Sequence, residues 1–192
     1  MNLKEKLTLR NVVIFAASLI GIVFFCLTFA IKGYYQFVES GDTTRVVFNN
    51  ILWDGTSTTT YFNGKIEGSS RFLKSGAFPL SIIGAVLLLV CSLGMPVVAL
   101  LVKNEKIKKY VSLGAGVAVI ASGIFIFFVG ETIVRTVCLN YLGSLDDLSE
   151  FKKSLAATYG AGAMASVVGV FTIIVGCAFG VSPFLPEKKL VK

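Results

Sequence analysis

The chain has 192 residues, 55% of them hydrophobic and only 15% charged, with a net charge of +7 and no histidine. A soluble domain carries about 25% charged residues, and disorder needs low hydrophobicity, so both are excluded in favour of one integral membrane domain spanning 1–192. The missing histidine removes the commonest general base and metal ligand, and the surplus of positive charge alone would suggest an anionic partner such as nucleic acid.

Four uncharged stretches, at about 11–31, 77–102, 110–130 and 160–182, reach the roughly 20 apolar residues that a helix needs to cross a bilayer. The first follows Lys4, Lys6 and Arg10. Its apolar run exceeds that of a signal peptide and no small-x-small cleavage site follows, so it is read as a retained span. The segment 32–76 is too long for a simple connector and contains β-type stretches at 43–48, 51–53 and 56–62. Asp54-Gly55 and Asn63-Gly64 are hairpin-turn dipeptides. A small antiparallel sheet of about three strands is expected here, with Phe48, Leu52, Trp53 and Tyr61 as its core or recognition surface; a disordered polar loop is the alternative.

Pro79 falls in the first turn of the second span, where its missing donor costs nothing, and Pro96 is expected to kink the same span. A short connection carrying Lys103, Lys106, Lys108 and Lys109 leads to the third span. The loop 131–159 contains Leu145, Leu148 and Phe151 at helical spacing, which predicts a short amphipathic helix or an extension of the third span above the membrane. Glu131 and Arg135 stand four apart, the favourable order for a helical ion pair. After the fourth span come Lys188, Lys189 and Lys192.

Placing the charges gives them a meaning. The two termini and the short connection hold ten basic residues against Glu5, Glu105 and Glu187, whereas the loops 32–76 and 131–159 are neutral overall. By the positive-inside rule the basic side is cytoplasmic and both termini lie inside. A nucleic-acid role is not expected.

Glycines recur every seven residues at Gly116, Gly123 and Gly130 in the third span and at Gly162, Gly169 and Gly176 in the fourth, where Gly180 completes a Gly-x-x-x-Gly. Such spacing lines one helix face, and small residues allow the close backbone approach on which helices in lipid depend. The stripes serve either packing within the chain or oligomerisation. Cys26, Cys91, Cys138 and Cys177 form no CxxC pair, and three of them lie within spans as small apolar residues. The spans carry no Asp, Glu, Lys or Arg, which argues against an ion-coupled transporter. There are no paired carboxylates inside a span, Asp146-Asp147 reads as solvated loop, and there is no phosphate loop and no Gly-x-Ser-x-Gly, so neither an enzyme nor a cofactor is expected.

The layout resembles the claudin and peripheral-myelin-protein-like four-transmembrane, or tetraspan, group. Leu52 and Trp53 match the Gly-Leu-Trp signature of that group's first outer loop, with Ile51 in place of glycine. The run 154–160 (Ser-Leu-Ala-Ala-Thr-Tyr-Gly) is similar to the small-residue entry into its last helix. The cysteine pair that follows the tryptophan in the group is missing, because no cysteine stands between Cys26 and Cys91. The resemblance implies a four-helix bundle with an extracellular β-layer in a multi-pass plasma-membrane protein. The expected function is lateral association or scaffolding, with the lipid bilayer and other membrane proteins or further copies as partners. The alternative is a small channel, pore or transporter subunit.

Overall fold

The computed structural model describes residues 8–53, 57–71, 79–129, 158–161 and 163–186. Four long helices, α1 (Leu9–Leu27), α2 (Pro79–Leu101), α3 (Glu105–Ile124) and α4 (Ala163–Val181), accompany five strands, β1 (Gly33–Glu39), β2 (Asp42–Phe48), β3 (Ser57–Phe62), β4 (Lys65–Arg71) and β5 (Thr158–Ala161). Single 3-10 turns follow α1 at Thr28–Ala30 and α4 at Ser182–Phe184, and a π-helical turn, Phe125–Val129, follows α3. All four helices are long and apolar enough to cross a membrane. The chain divides into two compact units, one from the described parts of Met1–Cys26, Ile83–Phe125 and Val168–Lys192, the other from those of Leu27–Ile82 and Ile126–Val167.

In the helical unit a single core draws on every helix. Ile14 and Ala17 of α1, Leu88, Met95 and Ala99 of α2, Val119 of α3, and Val175 and Phe179 of α4 are buried together. Phe24 and Phe171 stack beside it with ring centroids 4.5 Å apart. The outward faces remain greasy: Leu19 is 66% exposed, Val90 58%, Val117 68% and Ile174 51%. Water-soluble monomers rarely leave so much apolar surface uncovered.

Helix α3 begins at Glu105, five residues before the boundary expected from hydropathy. Asn104 caps it, its side-chain oxygen accepting from the amides of Lys106 and Ile107 at 3.0 and 3.4 Å. Glu105 adds a negative charge at the N-terminal end of the helix dipole. Lys106, Lys108 and Lys109 therefore belong to the first turns of the helix and not to a loop. Pro79 is the first residue of α2, and that helix runs on through Pro96 to Leu101.

The sheet unit is an antiparallel sheet in the order β4-β3-β2-β1-β5. It is larger than expected and is not confined to 32–76. The stretch 43–48 lies within β2 and 56–62 overlaps β3, whereas 51–53 is a turn. β1 and β4 were not foreseen. The run 154–160 does not lead directly into the last helix, because Thr158–Ala161 pairs with β1, setting Gly160 opposite Tyr34, and α4 starts only at Ala163. Two tight turns shape the hairpins. Ser40-Gly41 joins β1 to β2 and Asn63-Gly64 joins β3 to β4, all four residues with positive φ, as two-residue hairpin loops require. Asn63 also accepts from the Thr43 amide and donates to Asp42, both at 2.8 Å, tying its turn to β2.

Strand alternation separates two faces. Tyr35, Phe37, Val46 and Phe48 are buried on one, and Ile31, Ile51 and Leu52 join the buried set from outside the strands. Tyr34, Gln36, Arg45 and Val47 occupy the other. The Ile51 amide donates to the Ile31 carbonyl at 3.1 Å, anchoring the 51–53 turn.

Candidate functional site

The glycine stripes of α3 and α4 meet each other. A methyl group at Gly116 would stand 2.7 Å from the Gly180 amide nitrogen and 2.9 Å from the Gly176 carbonyl oxygen. One at Gly123 would stand 2.8 Å from the Gly169 carbonyl oxygen, and one at Gly176 would stand 2.7 Å from the Ile120 amide nitrogen. These neighbours are backbone atoms and cannot swing aside, so the two helices approach to a distance that only glycine permits. Gly130 and Gly162 lie outside the described residues, as do Glu131, Arg135, Cys138, Asp54-Gly55 and the stretch 145–151.

Arg10, expected in the tail before the first span, is instead a buried residue of α1. Its guanidinium donates to Glu105 at 2.7 Å, and Lys108 reaches the same carboxylate at 2.9 Å. Lys109 lies over the Phe184 ring at 5.0 Å. Residues whose charges read as orientation signals therefore also join the first turns of α1 and α3. Three buried hydroxyls of this unit, on Ser18, Ser92 and Thr172, have no hydrogen-bond partner among the described residues. Pro96 lacks the N–H that would meet the Ser92 carbonyl four residues earlier. The described cysteines Cys26, Cys91 and Cys177 are free thiols.

In the sheet unit, the four residues singled out from the sequence take different places. Phe48 and Leu52 are fully buried, so they are core. Trp53 is half-buried and fastened down: its indole N–H donates to the Thr28 hydroxyl at 3.0 Å, and its ring stacks on Phe29 at 4.6 Å. Tyr61 alone faces a cavity.

That cavity is an open groove of about 630 Å3 on the unburied face of the sheet, within the roughly 300–1,000 Å3 typical of ligand pockets. Its lining includes Lys32, Tyr34, Gln36, Arg45, Tyr61 and Met164. Strand pairing puts Tyr61, Arg45 and Gln36 directly opposite one another across β3, β2 and β1, at the roughly 5 Å spacing of cross-strand neighbours. The Arg45 guanidinium lies 4.6 Å from the centre of the Tyr34 ring. Gly160 of β5 makes room for that ring, since a methyl group there would meet the Tyr34 hydroxyl at 3.0 Å. Among the described residues the lining holds two cations, several hydrogen-bond donors and no Asp or Glu. Only Tyr61 of this set was singled out from the sequence; the Ser40-Gly41 turn was the local signal that would have revealed β1 and with it the rest.

No protein-family model matches this chain, and no curated protein sequence matches it.

Proposed function

We propose that this chain is a non-enzymatic, multi-pass protein of the plasma membrane with both termini cytoplasmic. It works by lateral association with, or scaffolding of, another membrane protein or a second copy of itself. The sheet is the recognising element, in keeping with the resemblance to the tetraspan group.

The observation that carries this reading is strand β4. Among the described residues it is an edge strand, paired with β3, and all seven residues from Lys65 to Arg71 are exposed. A strand covered on neither face gains little from burial, and its outer edge can accept another strand from a partner. The other edge strand, β5, has four residues, whereas β4 offers seven, with Ile66 68% exposed. Lys65, Glu67 and Arg71 guard this edge against indiscriminate pairing. The pore reading finds less support, because the described helices share one filled core and the wide groove belongs to the sheet face.

Photo-crosslinking in intact membranes tests the proposal. A photoreactive residue at Ile66 or Ser69 is expected to give one discrete adduct of fixed stoichiometry, whereas one at the exposed Gly114 of α3 gives none. Mixing differently tagged copies separates self-association from a distinct partner. Ion or solute flux through the purified, reconstituted chain, with no adduct from β4, would overturn the proposal in favour of the pore.

A further inference from the structure

We propose that the groove on the open face of the sheet binds the phosphate of an anionic phospholipid headgroup. The inference rests on the membrane-spanning reading of the four helices and adds a ligand to it.

Three observations converge. First, the charge is of one sign: Lys32 and Arg45 both line the groove and are exposed, and among the described residues no carboxylate lines it. Second, the donors stand side by side. Arg45 sits between Tyr61 and Gln36 in one cross-strand row, and its guanidinium carbon lies over the Tyr34 ring, 4.6 Å from the centroid. An arginine held by a ring face keeps its N–H edge for a ligand, and that edge matches two phosphate oxygens at once. Third, the groove is amphipathic, and its apolar margin comes from helix ends. Ala30 closes the turn after α1, and Ala163 and Met164 open α4; all three line the groove and are exposed. Lys32 stands two residues beyond that turn. These are the levels at which two candidate spans end, where the phosphate of a lipid sits beside its acyl chains. A free phosphate ester offers the same anion without the apolar body. An acidic peptide would engage the cations but not the apolar margin.

The test uses the purified full-length chain in a neutral detergent. Thermal stability is titrated with a short-chain phosphatidylglycerol, the matching phosphatidylcholine, inorganic phosphate and a glutamate-rich peptide. Phosphatidylglycerol is expected to raise the transition temperature saturably, with phosphatidylcholine inert and inorganic phosphate at least tenfold weaker. Arg45→Gln and Lys32→Gln, both at exposed positions, should each weaken the lipid response about tenfold while keeping the unliganded transition of the parent. Lys103→Ala with Lys106→Ala removes two exposed cations elsewhere and should leave the response intact.

An equal response to both lipids would overturn the site, as would a response that survives Arg45→Gln and Lys32→Gln together. A loss in the Lys103/Lys106 variant as large as in those two would assign the effect to diffuse electrostatics. Inorganic phosphate acting at the same concentrations as the lipid would replace the lipid by a soluble phosphate ester, and a stronger response to the peptide would replace it by a protein ligand. Resistance of the chain to alkaline extraction from vesicles measures the spanning reading separately, so failure of the site and failure of that reading are told apart.

Discussion

The helical unit and the sheet unit both bury large apolar side chains, but the helical unit adds a seam in which glycine meets backbone. Between α3 and α4 the tightest contacts are made where side chains are missing: Gly116 against Gly176 and Gly180, and Gly123 against Gly169. In the sheet unit the interior is made of bulk, with Tyr35, Phe48, Ile51 and Leu52 fully covered and Trp53 locked over Phe29. The contrast follows the solvent each unit has under the proposed placement. In lipid, apolar side chains gain nothing by leaving their surroundings, so helices associate through backbone proximity and dispersion. In water, each large apolar side chain that is buried contributes about 1.5–3 kcal/mol, so size is rewarded.

The largest expected effect breaks the helical side of this comparison. Gly123→Leu should cost more than about 4 kcal/mol and leave no cooperatively folded bundle, because its new side chain meets the Gly169 carbonyl and the Ile173 backbone. Gly114→Leu on the same helix faces open space and should stay within about 0.5 kcal/mol of the parent or exceed it, glycine being the poorer helix former. Thermal denaturation of both in detergent decides whether glycine matters by position or merely by presence.

Phe48→Ala applies the converse logic to the sheet. It empties a fully buried ring site and should cost about 3–5 kcal/mol, read as loss of amide-exchange protection across β1, β2 and β3. Retained protection would mean that the sheet does not depend on bulk. A smaller effect, about 1–2 kcal/mol, is expected for Arg10→Ala. It removes a buried cation whose partner, Glu105, is half-exposed, so solvent screening limits the gain from the pair. The combined Arg10→Ala, Glu105→Ala variant should lose less than the sum of the single changes if the two act as a pair. The smallest effect is Trp53→Phe at about 1 kcal/mol: an aromatic ring stays on Phe29, and the hydrogen bond to Thr28 is lost.

The helices were the legible part of the fold, because a span is a property of about 20 consecutive residues and leaves a continuous apolar record. The start of α3 was displaced by five residues because Lys106, Lys108 and Lys109 lower hydropathy while remaining good helix formers. The cap at Asn104 was the better boundary signal. In the sheet, Asn63-Gly64 marked a real hairpin, whereas Ser40-Gly41 went unread and β1 with it. β5 is four residues, Thr158-Tyr159-Gly160-Ala161, too short to carry a strand period of its own, and it is defined by its pairing with β1. The groove depends on that assembly, since Lys32, Arg45 and Tyr61 come from separate stretches of chain and share no motif.

What the sequence determined by itself were the short-range quantities: four apolar spans, the seven-residue glycine periods, the Asn63-Gly64 turn and the concentration of positive charge in three segments. Tertiary structure alone decided which partners met. The glycine stripes of α3 and α4 face each other, Arg10 reaches Glu105 across 95 residues of chain, and β5 returns to pair with β1. Periodicity and composition act through neighbours along the backbone, so they are written locally. Pairing depends on which distant surfaces fit at van der Waals and hydrogen-bond distance, and only the folded chain brings those surfaces together.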